Sequence, residues 1–360
     1  MKRILLYMAA MLMGTMPLAA QDTPAEKMLS KLKKVKKQGI MFAHQDDPVY
    51  GTTWKWDLDR SDVKEVCGDY PALMGFDLGK MELDSKENLD GVPFDRMRHE
   101  IIDQHQRGGF VTISWHLWNP VTGENAWDPR GHAVTAILPG GKENAKFKGW
   151  MDKVIAFFNS LVDAEGNKVP VIFRPWHEMH GRWFWWGSNS CTPDELARLF
   201  RYTYDYFKEK GVDNVVWCYS PGADRKESEE RFMTWYPGDD YVDIIGVDIY
   251  CGDNHQEYID NMKKELKVMA AIADQHDKLF AVAETGYRNT PKADWFTKVL
   301  LPSLLDDQPL YVLLWRNAWD QPEENFGPAP EKSCADDFRL FHADKTTLFL
   351  RDVMKINKGR

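Results

Sequence analysis

The sequence predicts a (β/α)8 barrel, an eight-stranded parallel sheet closed on itself with helices outside. Three observations predict it: eight short apolar, β-branched runs recur along the chain, stretches of helical periodicity lie between them, and polar or aromatic residues collect where the runs end. Near-continuous apolar runs are those of strands buried on both faces, which favours a closed barrel over an open doubly wound sheet. No GxGxxG follows the first run, which removes the dinucleotide-binding form of that open sheet. Length alone would suggest about two domains. Barrels of this kind run as one, however, and no Pro/Ser-rich linker or low-complexity stretch divides residues 21–360, so one catalytic domain is expected there.

In chain order, Met1-Lys2-Arg3, an apolar run over residues 4–18 broken by Gly14 and Pro17, and Ala19-Ala20 before the polar Gln21-Asp22 read as a signal peptide over residues 1–20. The run is short for a membrane span. The product is therefore expected to be soluble, exported to the periplasm or outside the cell, without membrane insertion, and monomeric. The lysine-rich stretch 27–37 has the spacing of the solvated face of an N-terminal helix. Strands are then expected at 39–45, 71–78, 110–117, 169–176, 214–220, 243–250, 278–284 and 310–316. Helices are expected at 94–107, 146–161, 193–210, 256–275, 293–305 and 335–354. The third of these opens on Thr192-Pro193-Asp194-Glu195, in which Thr192 caps, proline takes the first helical position and the acids meet the positive end of the dipole.

A formal net charge of −9 and a pI near 5.6 leave no basic field for nucleic acid. Five cysteines, without a CxxC pair or metal-ligand spacing, sit in a chain large enough to bury its core without staples, so mostly free, buried thiols are expected. The aromatic load of 15 Trp, 13 Tyr and 18 Phe exceeds what a Leu/Ile/Val core requires. Flat rings suit the apolar faces of sugars, although they also bury well anywhere.

Barrel function belongs at the carboxyl ends of the strands. Standing there are His44, Asp77, His116, His177-Glu178, Tyr250, Glu284 and Trp315-Arg316. Glu178 and Glu284, after the fourth and seventh runs, can lean over one mouth. Cleaving a glycosidic bond needs such a pair: one carboxylic acid protonates the departing oxygen and one carboxylate meets the anomeric carbon, with retained configuration at a separation of about 5 to 5.5 Å. A glutamate is ordinarily a surface or capping acid. Glu284, however, ends the apolar run 279–283, where a side chain is excluded from solvent unless it faces a cleft, and Gly286 is expected as the turn. Burial among rings should raise the pKa of Glu178, while hydrogen bonds such as one from Tyr250 should keep Glu284 ionised.

His177-Glu178-Met179-His180 is close to the zinc-protease motif, but that motif is HExxH on a helix, so neither metal nor cofactor is expected. His177 is expected to bond Glu178 or a sugar hydroxyl. Trp183 is best placed to offer a stacking face beside the cleavage point, with one or two of its neighbouring tryptophans in a packed loop.

The stretch Arg174-Pro175-Trp176-His177-Glu178-Met179-His180-Gly181 with Trp183-Phe184-Trp185-Trp186-Gly187 resembles the acid/base signature of glycoside hydrolase family 26, the retaining β-mannanases. Gly39 to Gln45 with its GxxxxHQ, Ala283-Glu284-Thr285-Gly286 and Leu314-Trp315-Arg316-Asn317 resemble the family's first-strand, nucleophile and eighth-strand segments. The resemblance implies Glu178 as acid/base and Glu284 as nucleophile, with His116, His177, Tyr250, Trp315 and Arg316 also in use. Many clan relatives carry asparagine before the acid, and His177 fits the narrower family; His180 stands where asparagine is often seen. The implied substrate is β-mannan or manno-oligosaccharide, cleaved at β-1,4 bonds. Family relatives act on mixed-linkage β-glucan or β-1,3-xylan with the same acids. A non-catalytic saccharide-binding barrel would keep the rings and need neither glutamate.

Overall fold

Period-two alternation along the strands separates two apolar layers. Met41, Ala43, Leu73, Phe110, Ile172, Val216, Ile244, Ala281 and Leu313 pack into one cluster, while their sequence neighbours Phe42, Met74, Val111, Phe173, Trp217, Ile245 and Val282 join the helices in another. The first set fills the inside of a barrel and the second glues its outside. A computed structural model describes residues 21–223 and 228–359; the expected signal peptide lies outside the described residues.

The barrel strands are β1 Ile40–Gln45, β2 Leu73–Asp77, β3 Phe110–Ser114, β4 Val171–Arg174, β5 Val215–Tyr219, β6 Ile244–Cys251, β7 Leu279–Tyr287 and β8 Tyr311–Leu314. Each pairs in parallel with the next, and β1 pairs with both β8 and β2, which closes the ring. At the opposite end from the site, the helix Pro24–Lys36 turns Met28, Leu32 and Val35 into the inner cluster. Its lysines 27, 31, 33 and 34 are exposed, as the spacing predicts. Thr192 caps helix Pro193–Glu209 as expected, and Glu195 returns the bond to complete a capping box.

Several expected boundaries move for identifiable reasons. Strand β3 ends at Ser114 because the Asp77 carboxylate, not the sheet ladder, takes the His116 N–H. Strand β7 does not turn at Gly286 but runs on to Tyr287. The segment expected as a helix at 293–305 is π-helical over Phe296–Leu300 and α-helical over Leu301–Leu304. Pro302 lacks the N–H and crowds the carbonyl four residues back, so the register widens ahead of it. The expected helix 335–354 is two, Ala335–Ala343 and Leu350–Asn357, around a short strand Thr347–Leu348 that pairs with β1. There the Asp344 carboxylate accepts from Thr346 N at 2.8 Å and Thr346 Oγ1 at 2.6 Å, competing with helix continuation. The helix Asp62–Cys67, unforeseen between the first two strands, is too short for a period to show. Among the described residues no helix is long and apolar enough to cross a membrane. All five cysteines are unpaired.

The chain enters β1 through Gly39, where an added Cβ would sit 2.5 Å from the Thr346 backbone carbonyl. Backbone cannot yield as a side chain can. Gly39→Ala is expected to cost about 1–3 kcal/mol, read as a lowered urea midpoint at unchanged slope; an unchanged midpoint would mean that the C-terminal strand is not held against β1.

Candidate active site

Inward parity puts five polar or aromatic side chains at the barrel mouth: Asp77 from β2, His116 just past β3, Arg174 ending β4, Asp248 in β6 and Trp315 just past β8 each lie an even number of residues from an inward-facing apolar neighbour. Glu284 does not. Strict alternation from Ala281 inside and Val282 outside would send it among the helices. A bulge shifts the register so that Val247 pairs with Val282 but Asp248 with Glu284, skipping Ala283. The extra residue re-aims Glu284 into the mouth beside Asp248.

A charge in a strand buried on both faces needs partners. The Arg174 guanidinium donates to Asp248 Oδ2 at 2.8 Å and also to Glu284 Oε1. The Tyr250 hydroxyl donates to the other Glu284 oxygen, Oε2, at 2.9 Å, as expected.

Glu178 arrives by a different route, on a turn after β4 in which Trp176 (φ 59°) and Glu178 (φ 54°) are both left-handed. Such backbone costs on the order of 1–3 kcal/mol per residue and persists only where the surroundings over-determine it. Glu178 N–H donates to Ser220 O at 2.8 Å, Gly181 N–H to Glu178 O at 2.8 Å, and Trp186 Nε1–H to His177 O at 2.8 Å. The turn brings Glu178 Oε2 to the Trp183 indole N–H at 2.7 Å. Gly181 makes room for that ring, since a Cβ there would meet it at 2.4 Å. One carboxylate oxygen from each of Glu178, Asp248 and Glu284 lies within 4.8 Å of the others. These three could frame a cation, and the Arg174 guanidinium already holds two of them.

Environment separates the acids. Burial, and then the neighbouring Glu284 charge, push the Glu178 carboxyl up to about 7, although the Trp183 hydrogen bond opposes this. Burial raises Asp248 well above the usual carboxylate range despite Arg174. Burial, then Arg174 and His116, hold the His177 imidazole well below its ordinary range. Burial alone would lower His116, but Asp77 outweighs it by charge and hydrogen bond, and His116 is raised.

Of the residues singled out from sequence, Glu178, Glu284, Tyr250, Trp183, His116, His177 and Trp315 gather at this mouth. His177 does not bond Glu178: its Nε2 lies 3.0 Å from His116 Nε2, because the left-handed turn swings Glu178 away from it. Arg316, one residue past Trp315 and of opposite parity, is ion-paired to Asp90 at 2.9 Å and nearly buried. Trp183 is 46% exposed and keeps a face to solvent, while Trp185 and Trp186 are fully buried. Sequence reasoning gave Arg174 and Asp248 no role, although a lone charge inside each apolar run was the available signal. Trp127, 47% exposed and stacked on His116 at 5.3 Å, lies in residues 119–142, where no periodicity marks it.

Residues 17–297 match glycosyl hydrolase family 26. A mannan endo-1,4-β-mannosidase of Bifidobacterium adolescentis is 30% identical over 81% of this chain and 31% of that protein. Another, from Caldalkalibacillus mannanilyticus, is 30% identical over 74% of this chain and 50% of its own length. The chain thus spans about a third and a half of these two curated relatives. A solved structure of a GH26 β-mannanase from Bacteroides ovatus superposes with a TM-score of 0.89 at 41% identity, covering 91% of this chain and 95% of that one.

The Trp183 hydrogen bond favours the ionised form of Glu178, so Trp183→Phe, which removes the donor, is expected to raise the Glu178 midpoint in a 13C-carboxyl NMR titration. A midpoint that stays or falls would show that this bond is not kept in solution. Trp186→Ala truncates a fully buried ring and is expected to cost ~3–5 kcal/mol, whereas the half-exposed Trp183→Ala should cost about 1 kcal/mol or less. Equal losses in thermal unfolding would make Trp183 a core residue.

Proposed function

The chain belongs to glycosyl hydrolase family 26, and on that premise we propose that it cleaves β-1,4-mannosidic bonds in mannan or manno-oligosaccharides by double displacement, with retention of configuration. The observation that carries the reading is the separation of Glu178 and Glu284, whose oxygens approach within 4.8 Å. Single displacement needs about 6.5–9.5 Å to admit a water between carboxylate and sugar. A pair this close fits direct attack by the carboxylate rather than an interposed water.

In the first step a Glu284 oxygen attacks the anomeric carbon, the C1–O bond breaks, and the departing oxygen takes the Glu178 proton. Glu284 is then a glycosyl ester and Glu178 a carboxylate. In the second, Glu178 takes a proton from water, the water oxygen attacks C1 from the vacated face, and Glu284 is released; two inversions retain configuration. The elevated Glu178 suits both duties, since it holds a proton near neutrality and then recovers one. Arg174 and Tyr250 orient the Glu284 carboxylate. Trp183 and Trp315 offer faces to the sugars flanking the bond, and His116 and His177 line the floor. Arg316 reaches substrate only by leaving Asp90.

The mannan assignment rests on the names of the relatives. Mixed-linkage glucan and β-1,3-xylan remain rival substrates only as outcomes of a substrate panel. The pattern of residues 1–20 supports export, and we expect the barrel to act as a monomer.

Because Glu178 must start protonated, kcat/KM on mannan is expected to fall as pH rises through about 7. Glu178→Ala should lose about 10²–10⁴-fold on mannan, yet still form the covalent intermediate rapidly from aryl glycosides with good leaving groups. Glu284→Ala should be inactive and be rescued by azide with an inverted product. Near-normal mannan turnover by either variant would sink the proposal.

A further inference from the structure

Asp77 takes no part in the steps above, yet it is fully buried and four donors converge on it. They are Gly79 N at 2.7 Å, Ser114 Oγ at 2.6 Å, His116 N at 3.2 Å and His116 Nδ1 at 2.7 Å. Burial opposes its charge, but His116 and these hydrogen bonds prevail and hold the carboxyl below the usual range. An ionised carboxylate only accepts, so Nδ1 of His116 carries a proton. At the other side of the ring, Nε2 lies 3.0 Å from His177 Nε2, with one proton between them. Burial and Arg174 keep His177 neutral, and a neutral His177 with its own proton on Nδ1 offers a bare Nε2 to His116, whose cationic form the Asp77 charge and hydrogen bond favour.

We propose that Asp77 is a positioning residue: by anchoring His116 with both ring nitrogens protonated, it fixes a second cation, besides Arg174, against the cluster of Glu178, Asp248 and Glu284. The groups facing His116 are Asp77 from β2, Asp90 from the loop after it, Glu284 from β7, and His177 and Glu178 from the turn after β4. Rings of Trp127, Phe184 and Trp315 enclose the rest of the imidazole. During the proposed reaction the Glu284 charge passes into the ester as a charge appears on Glu178. A fixed imidazolium within reach of both serves each state without moving.

The kinetic part of this proposal rests on the roles given to Glu178 and Glu284; the protonation part does not. Histidine NMR titrations of the wild-type protein and Asp77→Asn test the latter, and pH profiles of kcat/KM on mannan test the former. In the wild type, His116 is expected to titrate above the ordinary histidine value of about 6.5, and its midpoint should fall in Asp77→Asn. His116 also lowers Glu178, so losing its charge should move the alkaline limb of the profile to higher pH. A purely structural role would lower thermal stability and overall rate and leave that limb in place. If Asp77→Asn does not fold, His116→Gln should reproduce the alkaline shift, and the wild-type titration still decides the protonation state. A wild-type His116 midpoint below about 6.5, or an unmoved limb in a folded variant, overturns the proposal. A titration that behaves as expected in a protein inactive on mannan and on related β-glycans would overturn the functional reading while leaving His116 charged.

Discussion

A guanidinium at the end of β4 makes it possible for three carboxylates to share the barrel mouth, and the rest of the site is arranged around that fact. Two unit charges about 5 Å apart repel by roughly 3 kcal/mol at an effective dielectric constant near 20. Arg174 touches Asp248 and Glu284 directly, yet burial still raises Asp248, and Glu178, beyond the hydrogen bonds of the guanidinium, is pushed up to about 7 by burial and the Glu284 charge. One cation shared unequally among three acids thus places chemically identical side chains in different environments. Removing one partner of such a buried network costs several kcal/mol because the others are left uncompensated.

The aromatic load answers a mechanical need as well as a recognition one. Left-handed backbone at Trp176 and Glu178 would relax if its surroundings gave way, and those surroundings are rings: Trp176 packs edge-on against Trp185 and Trp186, and Phe184 stacks on Trp186 at 4.4 Å. Indoles combine large apolar area with an N–H, and here the N–H groups of Trp185 and Trp186 tie the wall to the backbone at Leu117 and His177. Aliphatic side chains would fill the volume and supply none of these tethers. The same residue type thereby serves as wall where it is buried and as exposed face at Trp183 and Trp127.

Much of this was legible in the residues. Apolar runs and helical periods predict eight strands and a closed barrel, strand-end position singles out Glu178 and Glu284 from many surface acids, and the segment around Glu178 is specific enough to indicate the family. Those features are local, carried by spacing within a dozen residues or by side-chain type at a strand end. Where local rules failed, a competing local bond often won, as with Asp344 against the helix at 335–354 or Pro302 within the helix at 293–305.

Contacts between distant segments decided the remainder. The inward turn of Glu284 depends on a bulge in pairing between β6 and β7, and its partner Arg174 is 110 positions away in the chain. His177 is turned from Glu178 towards His116, 61 positions away, and Arg316 towards Asp90. The sequence by itself determined which residue types stand at the mouth of the barrel, because strand length and alternation are properties of short stretches. Only the tertiary structure decided which of them touch, because register, bulges and charge pairing are set by the strands on either side.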